Sequence, residues 1–393
     1  MPKIKQGRGN KDMFRITKIL LTIPLFLLLS GCWDEKTIQD FHYTTAIGID
    51  FKDGEYIVYA QLVDFAAVAK TEAKPTQNPP VYVGKEKGRS ISTAMNQLMH
   101  NTQQALYMGH VSTFVLSENV LKQQSTEIVD YIYRNQLLRY SANIFATKSS
   151  MDELFSINGY FNLSPLYTTL YLPEDIYRNR SFIKPITVQK YYSNQREKAS
   201  TTILPSISWN NKVWKEKGTK RKSLYMDGAF VIFFKVSQPW FSEQELSGVR
   251  WLTKRTNKAP VNISFNKEDI YASFSHPYHK VKPVFKNGKF KYDIEVVVPG
   301  KILGLDTQMD MNKIKRKFES QIKKEIQSTF EAGLKKNADP LSLGKILYIK
   351  ETKYWQENDI KEPKDYLDPH SIHAINVKVH IKNTGGLEAK PLR

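Results

Sequence analysis

An α+β fold, with mixed α/β alternation in its first half and a C-terminal domain of antiparallel strands carrying one long helix, is what this sequence predicts. Three observations predict it. Strand-type and helix-type runs alternate between Thr44 and Phe155. Two turn signals, Lys52-Asp53-Gly54 and Lys286-Asn287-Gly288-Lys289, each separate a pair of β-rich runs. Apolar residues recur every three or four positions from about Asp310 to Lys336. The expected division is a leader at 1–31, an α/β domain at 32–200, a small middle domain at 201–265 and an α+β domain at 266–393.

The leader comes first. Lys3, Lys5, Arg8, Lys11, Arg15 and Lys18 stand against one acid, Asp12, and an uncharged run from Ile19 to Trp33 follows. A basic stretch, a short apolar stretch and small residues before a cut site make a secretory signal. The apolar run has fifteen residues, about 22 Å as a helix, whereas a bilayer core needs about 30 Å. Leu29-Ser30-Gly31-Cys32 then has the form of a bacterial lipobox, so cleavage is expected before Cys32 and the thiol is expected to carry S-diacylglycerol, with N-acyl on the new terminus. Cys32 is the only cysteine in 393 residues, which excludes intrachain disulfides and thiolate metal sites. Each buried acyl CH₂ contributes about 0.8 kcal/mol, and two or three chains anchor stably where one is marginal.

Without residues 1–31 the chain has 362 residues and a formal charge of +14, since six basic and one acidic residue leave with the leader. Hydrophobic residues at 41% and aromatics at 12% indicate a folded chain. An exported basic protein meets anionic headgroups and wall polymers, and export removes nucleic acid as a partner.

Thr44 to Asp50 and Tyr56 to Val63 form the first expected hairpin, and Lys70 to Pro80 is a looser, proline-containing stretch. Ser90 to Gln103 reads as a helix with Ile91, Met95, Leu98 and Met99 on one face. Ser112 to Leu116 is a strand, and Thr126 to Leu138 is a second helix with Ile128, Val129, Ile132 and Leu137 turned inward. Ala142 to Thr147 is a strand and Met151 to Phe155 a short helix. Residues 211–222, crowded with Lys212, Lys215, Lys217, Lys220, Arg221 and Lys222, read as a surface loop or linker with headgroup contact as the sharper alternative. Gly228 to Phe234 is a strand, and Ser242 to Thr253 has helix character, with Ser242 and Glu245 spaced as a capping box. Asp269 to Ser275, Val281 to Phe285 and Phe290 to Val298 are strands. The long helix follows, with Met311, Ile314, Phe318, Ile322, Ile326, Phe330 and Leu334 on the face expected to pack on the sheet, and Ile372 to Ile381 closes as a strand.

No catalytic constellation emerges. His276-Pro-Tyr-His279 and His370-Ser-Ile-His373 each space two imidazoles three apart, but neither has a third ligand at a telling distance. A nucleophile elbow, a phosphate loop and a dinucleotide fingerprint are all missing. The expectation is no enzyme, no cofactor and no metal.

An ordered series of short segments resembles the spore-germination receptor C-subunit lipoproteins, the Ger(x)C family. The series begins with Cys32-Trp33-Asp34-Glu35 and Ile47-Gly48-Ile49-Asp50, then Gly88-Arg89-Ser90-Ile91-Ser92-Thr93-Ala94. Leu106-Tyr107-Met108-Gly109-His110 with Phe114-Val115-Leu116-Ser117-Glu118 follows, the last with Ser where the family has Gly. Glu245-Leu246-Ser247-Gly248-Val249-Arg250-Trp251-Leu252, Asp339-Pro340-Leu341-Ser342-Leu343-Gly344, Trp355, and Val377 to Gly385 complete it. Two departures stand out: Asp365-Tyr366 only partly matches the usual aromatic and acidic residues before the closing strand, and Arg134-Asn135 lacks a neighbouring acid. The resemblance implies a three-domain mixed α/β fold and a noncatalytic subunit of a nutrient germinant receptor, required for spore germination. It further implies partnership with two integral membrane subunits, A and B, on the outer face of the spore inner membrane. Gly109-His110 admits an interface role or a tight turn with a buried histidine. The competing reading is a solute-binding lipoprotein of a transporter, which needs two similar doubly wound lobes; a wall-modifying enzyme needs a catalytic pocket that the sequence does not offer.

Overall fold

The computed structural model describes residues 41–65, 80–123, 127–233, 239–303 and 310–383. The leader, Cys32 to Glu35, most of the 70–80 stretch and the last residues of the closing segment lie outside the described residues.

Strands β1 (Phe41–Lys52) and β2 (Glu55–Val63) form the first hairpin, and β3 (Val81–Gly88) pairs with β2. Helix α1 (Ile91–His100) starts at Ser90, whose hydroxyl accepts the Thr93 N–H at 3.1 Å. A short β4 (Ala105–Tyr107) lies against β1. Next come β5 (Thr113–Ser117), α2 (Glu118–Lys122), α3 (Glu127–Arg134), β6 (Asn143–Thr147) and α4 (Met151–Phe155). Helices α5 (Pro173–Asn179) and α6 (Val188–Arg196) lead to a long ribbon, β7 (Thr201–Glu216) with β8 (Thr219–Phe233), edged by β9 (Trp240–Ser242). The result is one nine-stranded sheet, with main order β3-β2-β1-β5-β6-β7-β8-β9. Strands β1, β5, β6 and β7 run parallel at its centre.

The period-2 geometry of a strand divides these residues between two cores. Ile47, Ile49, Phe114, Leu116 and Ile144 pack under α1 and α3, while Ala46, Val115 and Phe145 face Met151, Leu154 and Phe155 on the other side. Central strands covered on both faces read as unbroken apolar runs. That is why Phe114 to Leu116 was legible as a strand without alternation.

The second sheet has β10 (Ala259–Phe265), β11 (Glu268–Phe274), β12 (Tyr278–Lys286), β13 (Lys289–Leu303) and β14 (Ile372–Asn383). The β12–β13 turn places Asn287 and Gly288 at positive φ (53° and 77°), the geometry that Asn-Gly hairpins adopt. Helix α7 (Met311–Lys335) starts at Asp310, whose carboxylate accepts the N–H groups of Asn312 and Lys313. Its Ile314, Phe318, Ile322, Ile326 and Phe330 are buried against this sheet, each contributing about 1.5–3 kcal/mol. Helices α8 (Leu343–Lys350) and α9 (Thr352–Glu357) carry the chain back to β14.

Five expectations need correction. Residues 211–222 are the paired tip of the β7–β8 ribbon, not a loop, because backbone pairing across a Lys217-Gly218 turn holds a segment with no buried face. The boundary at 200 falls inside the first sheet, since β7 pairs with β6. Ser242 to Thr253 makes the capping box, Glu245 N to Ser242 Oγ 3.3 Å and Ser242 N to Glu245 Oε2 2.8 Å, yet continues as turns and a 3-10 helix at Val249–Leu252. Leu137 and Met99 are exposed, Leu137 because α3 ends at Arg134. Finally, β14 joins the otherwise antiparallel second sheet parallel to β13, as a strand returning over a helical crossover does.

Candidate functional site

The segments that carry the family resemblance fold into junctions of the architecture. Asp50, at the end of the Ile47-Gly48-Ile49-Asp50 run, accepts the Phe51 N–H (2.8 Å) and the Ser117 hydroxyl. Ser117 in turn caps α2 by accepting the Val120 N–H at 3.1 Å. In the Gly88 to Ala94 segment, Ile91 and Ala94 are buried and a Cβ on Gly88 would sit 2.6 Å from the Ala94 nitrogen. These residues join β1, β5, α1 and α2.

Glu245 to Leu252 forms a seam with α7. A Cβ on Gly248 would lie 2.7 Å from the Glu325 carbonyl oxygen and the Ile326 Cα, so only glycine admits the helix at this distance. Gly248 N–H donates to Thr329 Oγ1 (2.9 Å), and that hydroxyl donates to the Glu245 carbonyl (2.8 Å). Arg250 is 2% exposed and grips Glu325 through Nη2 (2.8 and 3.0 Å) and Nε (3.2 Å), with the Trp251 indole donating to the same carboxylate at 2.8 Å. Its guanidinium also lies over Phe182 (4.4 Å) and Trp251 (4.8 Å). Burial lowers the Arg250 pKa, and the Glu325 charge opposes that shift.

Asp339 and Gly344 form a second junction. The buried Asp339 carboxylate accepts the Gly344 N–H at 2.7 Å and the Tyr366 hydroxyl at 2.8 Å. Burial raises the Asp339 pKa, and it raises that of Tyr366 well above the ordinary phenol range, with the Asp339 charge adding to the effect. Tyr366 packs on Trp355, ring centroids 5.3 Å apart. The Asp365-Tyr366 departure from the family pattern therefore retains the aromatic that meets Asp339.

The histidines are used singly. His373 Nδ1 lies 2.6 Å from Asp293 Oδ1 and its Nε2 lies 2.7 Å from Lys286 Nζ. His370 is exposed near the turn into β14, and its backbone N–H donates to Asp368 at 2.9 Å. His276 adopts a positive φ of 49°, while burial and then Lys254 lower the pKa of half-buried His279. Among the described residues, no three His, Cys, Asp or Glu side chains group to hold a metal. Gly109-His110 sits in a 3-10 turn, Met108–His110, and His110 is half-buried rather than enclosed. Its ring contacts Tyr43, Phe65 and Tyr107 at centroid distances of 5.2, 5.2 and 5.6 Å, and burial followed by Arg139 lowers its pKa.

An open groove of about 640 Å³ lies beside the ribbon, between residues 157–180 and the strands of β7 and β8. Val213 (69% exposed), Trp214 (55%) and Tyr167 (53%) line it. Tyr160 meets Trp214 edge-to-face at 5.7 Å, and Arg221 fixes the loop by donating to the Gly159 carbonyl at 2.7 Å. Lys212, Lys215, Lys217 and Lys220 stand exposed around the tip. The groove is therefore mainly apolar with a rim of positive charge. The sequence reading missed it because lysine density obscured the strand signal; Val213-Trp214 and Tyr225 flanking Lys217-Gly218 were the available clue.

The family described as "Spore germination protein N-terminal domain" matches residues 34–208, and "Spore germination B3/ GerAC like, C-terminal" matches residues 227–385. Spore germination protein KC of Bacillus subtilis (strain 168) is 23% identical, over 96% of this chain and 98% of its own. Spore germination protein B3 of the same organism is 20% identical, over 94% and 98%. A solved structure, "Crystal Structure of the GerBC protein", aligns with a TM-score of 0.51 at 15% identity, covering 87% of this chain and 97% of that one.

Proposed function

The chain belongs to the GerAC-like family of spore germination proteins, and from that premise we propose that it is a noncatalytic lipoprotein subunit of a nutrient germinant receptor. The observation that carries the reading is the match of both family domains in order over nearly the whole chain, with full-length relatives named as germination proteins. In this reading Cys32 bears the lipid, the protein sits on the outer face of the spore inner membrane, and two integral membrane subunits are its partners. No described helix is long and apolar enough to cross a membrane, and the lipobox Leu29-Ser30-Gly31-Cys32 is what supports the lipid anchor. The ribbon groove, apolar and lysine-rimmed, supports action by docking onto a partner, with the lysines suited to acidic residues at the rim of that partner. The solute-binding alternative fits less well, because the two sheets differ in strand order and do not form similar doubly wound lobes.

Deletion of the gene is expected to slow germination toward one class of nutrient and leave vegetative growth unchanged. Dipicolinate release against nutrient concentration measures it, with non-nutrient agents that bypass receptors as the control. Cys32→Ala should share the defect and yield a chain that is uncleaved or released from membranes, because the tether supplies high local concentration. Normal responses to every nutrient, or an equal defect with bypass agents, would return the transporter reading to first place.

A further inference from the structure

We infer that the end of the first sheet from which β1 starts is a membrane-apposed face, seated on anionic lipid headgroups. The inference rests on the proposed tether at Cys32 and adds which side of the protein that tether presents. Three parallel strands define this end. Because β5 and β6 run parallel to β1, the turn Met108–His110 before β5 and residues 135–142 before β6 gather beside the start of β1. Strand β2 is antiparallel and brings Phe65 to the same end.

Residues at this end have the chemistry of a bilayer interface. Tyr43 packs against Phe65 (5.1 Å), Tyr107 (5.7 Å) and His110 (5.2 Å), a four-ring cluster at this end of the sheet. Tyr107 is 38%, Tyr140 41% and Leu137 56% exposed. Tyr140 stacks on Tyr133 at 4.5 Å, and Arg134 and Arg139 stand exposed beside them. Amphipathic aromatic rings settle at headgroup depth, and a cation near an anionic leaflet gains about 1 kcal/mol.

Chain length selects lipid over a protein occupant. Ten residue steps separate Cys32 from His42, at most roughly 35 Å fully extended. A lipid on Cys32 therefore keeps this end close to the bilayer. The ribbon is different: β7 runs parallel to β1, so its Lys217-Gly218 turn points toward the opposite end, away from the membrane.

The test uses residues 42–393, which form one compact unit containing both sheets. This fragment has no cysteine, so Leu137→Cys and Val213→Cys each accept a single environment-sensitive fluorophore. An N-terminal histidine tag captures the labelled protein on vesicles containing nickel-chelating lipid, with phosphatidylglycerol present or replaced by phosphatidylcholine. The expected result is a blue shift and quenching by lipid-borne quencher at position 137 but not at 213, stronger with phosphatidylglycerol. Without capture, Arg139→Glu should weaken phosphatidylglycerol-dependent binding by about tenfold or more. A response at 213 equal to that at 137, or silence at both, overturns the inference. The outcomes separate the two proposals: an unlipidated Cys32 in cells removes the tether and leaves the vesicle result standing, whereas a lipidated Cys32 with a silent position 137 removes only the orientation.

Discussion

Arg250 and Lys222 are both cations lying over tryptophan rings and facing a glutamate, yet their surroundings differ in every other respect. Arg250 is sealed between the Val249–Leu252 turn and α7, with Glu325 itself only 11% exposed. Lys222 lies 4.6 Å over Trp209 and 3.4 Å from Glu153, with both charged side chains more than 40% exposed. Water screens the second pair, and such pairs contribute about 0–1 kcal/mol. The first pair is largely removed from water, so losing one partner strands a buried charge. The contrast separates two kinds of region: a seam whose contacts hold the two sheets together, and a ribbon whose side chains remain available.

The sharpest way to break that contrast is Glu325→Ala. It leaves Arg250 buried without its carboxylate and is expected to cost about 3–5 kcal/mol, read as the drop in urea-unfolding free energy. Replacing both partners, Arg250→Met with Glu325→Leu, should recover most of the loss, since apolar packing then substitutes for the ion pair. A single-variant cost under about 1 kcal/mol would place the seam in the same class as the surface pair at Lys222.

Glycines extend the comparison. Gly248→Ala pushes a methyl into the backbone of α7 and should cost about 1–3 kcal/mol, the usual range for overpacking. Gly218→Ala, at the ribbon turn with φ of 85° and open space around it, meets only the left-handed backbone penalty of about 1–2 kcal/mol. Differential scanning calorimetry of the two variants should therefore rank Gly248 at or above Gly218, and the reverse order would refute a close-packed seam.

These regions also show what a sequence can disclose. Gly248, Arg250, Trp251, Asp339 and Gly344 stood out in the sequence only through the family resemblance; the physical demands on them, a close approach at Gly248, a buried charge at Arg250 and a buried carboxylate at Asp339, are visible only in the fold. The long helix and both hairpins were legible from periodicity and turn chemistry. Strands β3 and β10 went unread, since Val81 to Gly88 holds Lys85-Glu86-Lys87 between two glycines and Ala259 to Phe265 includes a proline. The ribbon tip was misread because nothing buries it; its strand identity comes from pairing between its own two halves. Exposed aromatic residues such as Phe161 and Trp214 obey no packing rule that spacing reveals.

Asp339 supplies a pH-dependent test on the seam side. Its folded pKa is raised above the ordinary value of 3.8 by burial, so the fold favours the protonated carboxyl. Its stabilising contribution is full below 3.8 and is lost as pH rises through the folded value. Asp339→Asn cannot titrate there. The stability of the natural chain minus that of Asp339→Asn should thus decrease from acid toward neutral pH, in urea titrations at a series of pH values. A difference that grows with pH would mean the carboxylate is stabilised in the fold as the anion, contrary to the assignment.

The smallest effect on stability tests the other side of the comparison. Trp214 and Val213 are mostly solvent-exposed, and Trp214 makes one edge-to-face contact with Tyr160, worth about 0.5–1.5 kcal/mol. Changing both to Ser should therefore lower unfolding free energy by no more than about that amount, and thermal melts should stay cooperative. Function should respond out of proportion. If the ribbon groove docks a partner, removing its two most projecting apolar side chains takes away interface core while the fold, the leader and Cys32 are untouched. Spores carrying the double variant should then release dipicolinate slowly in response to the same nutrient that the deletion affects, with normal protein abundance on immunoblots. Restoring Trp214 alone should recover part of the rate, because aromatic anchors dominate interface energetics. Normal germination in the double variant would remove the groove as a docking surface, and a loss of several kcal/mol in stability would show that the ribbon belongs with the seam after all.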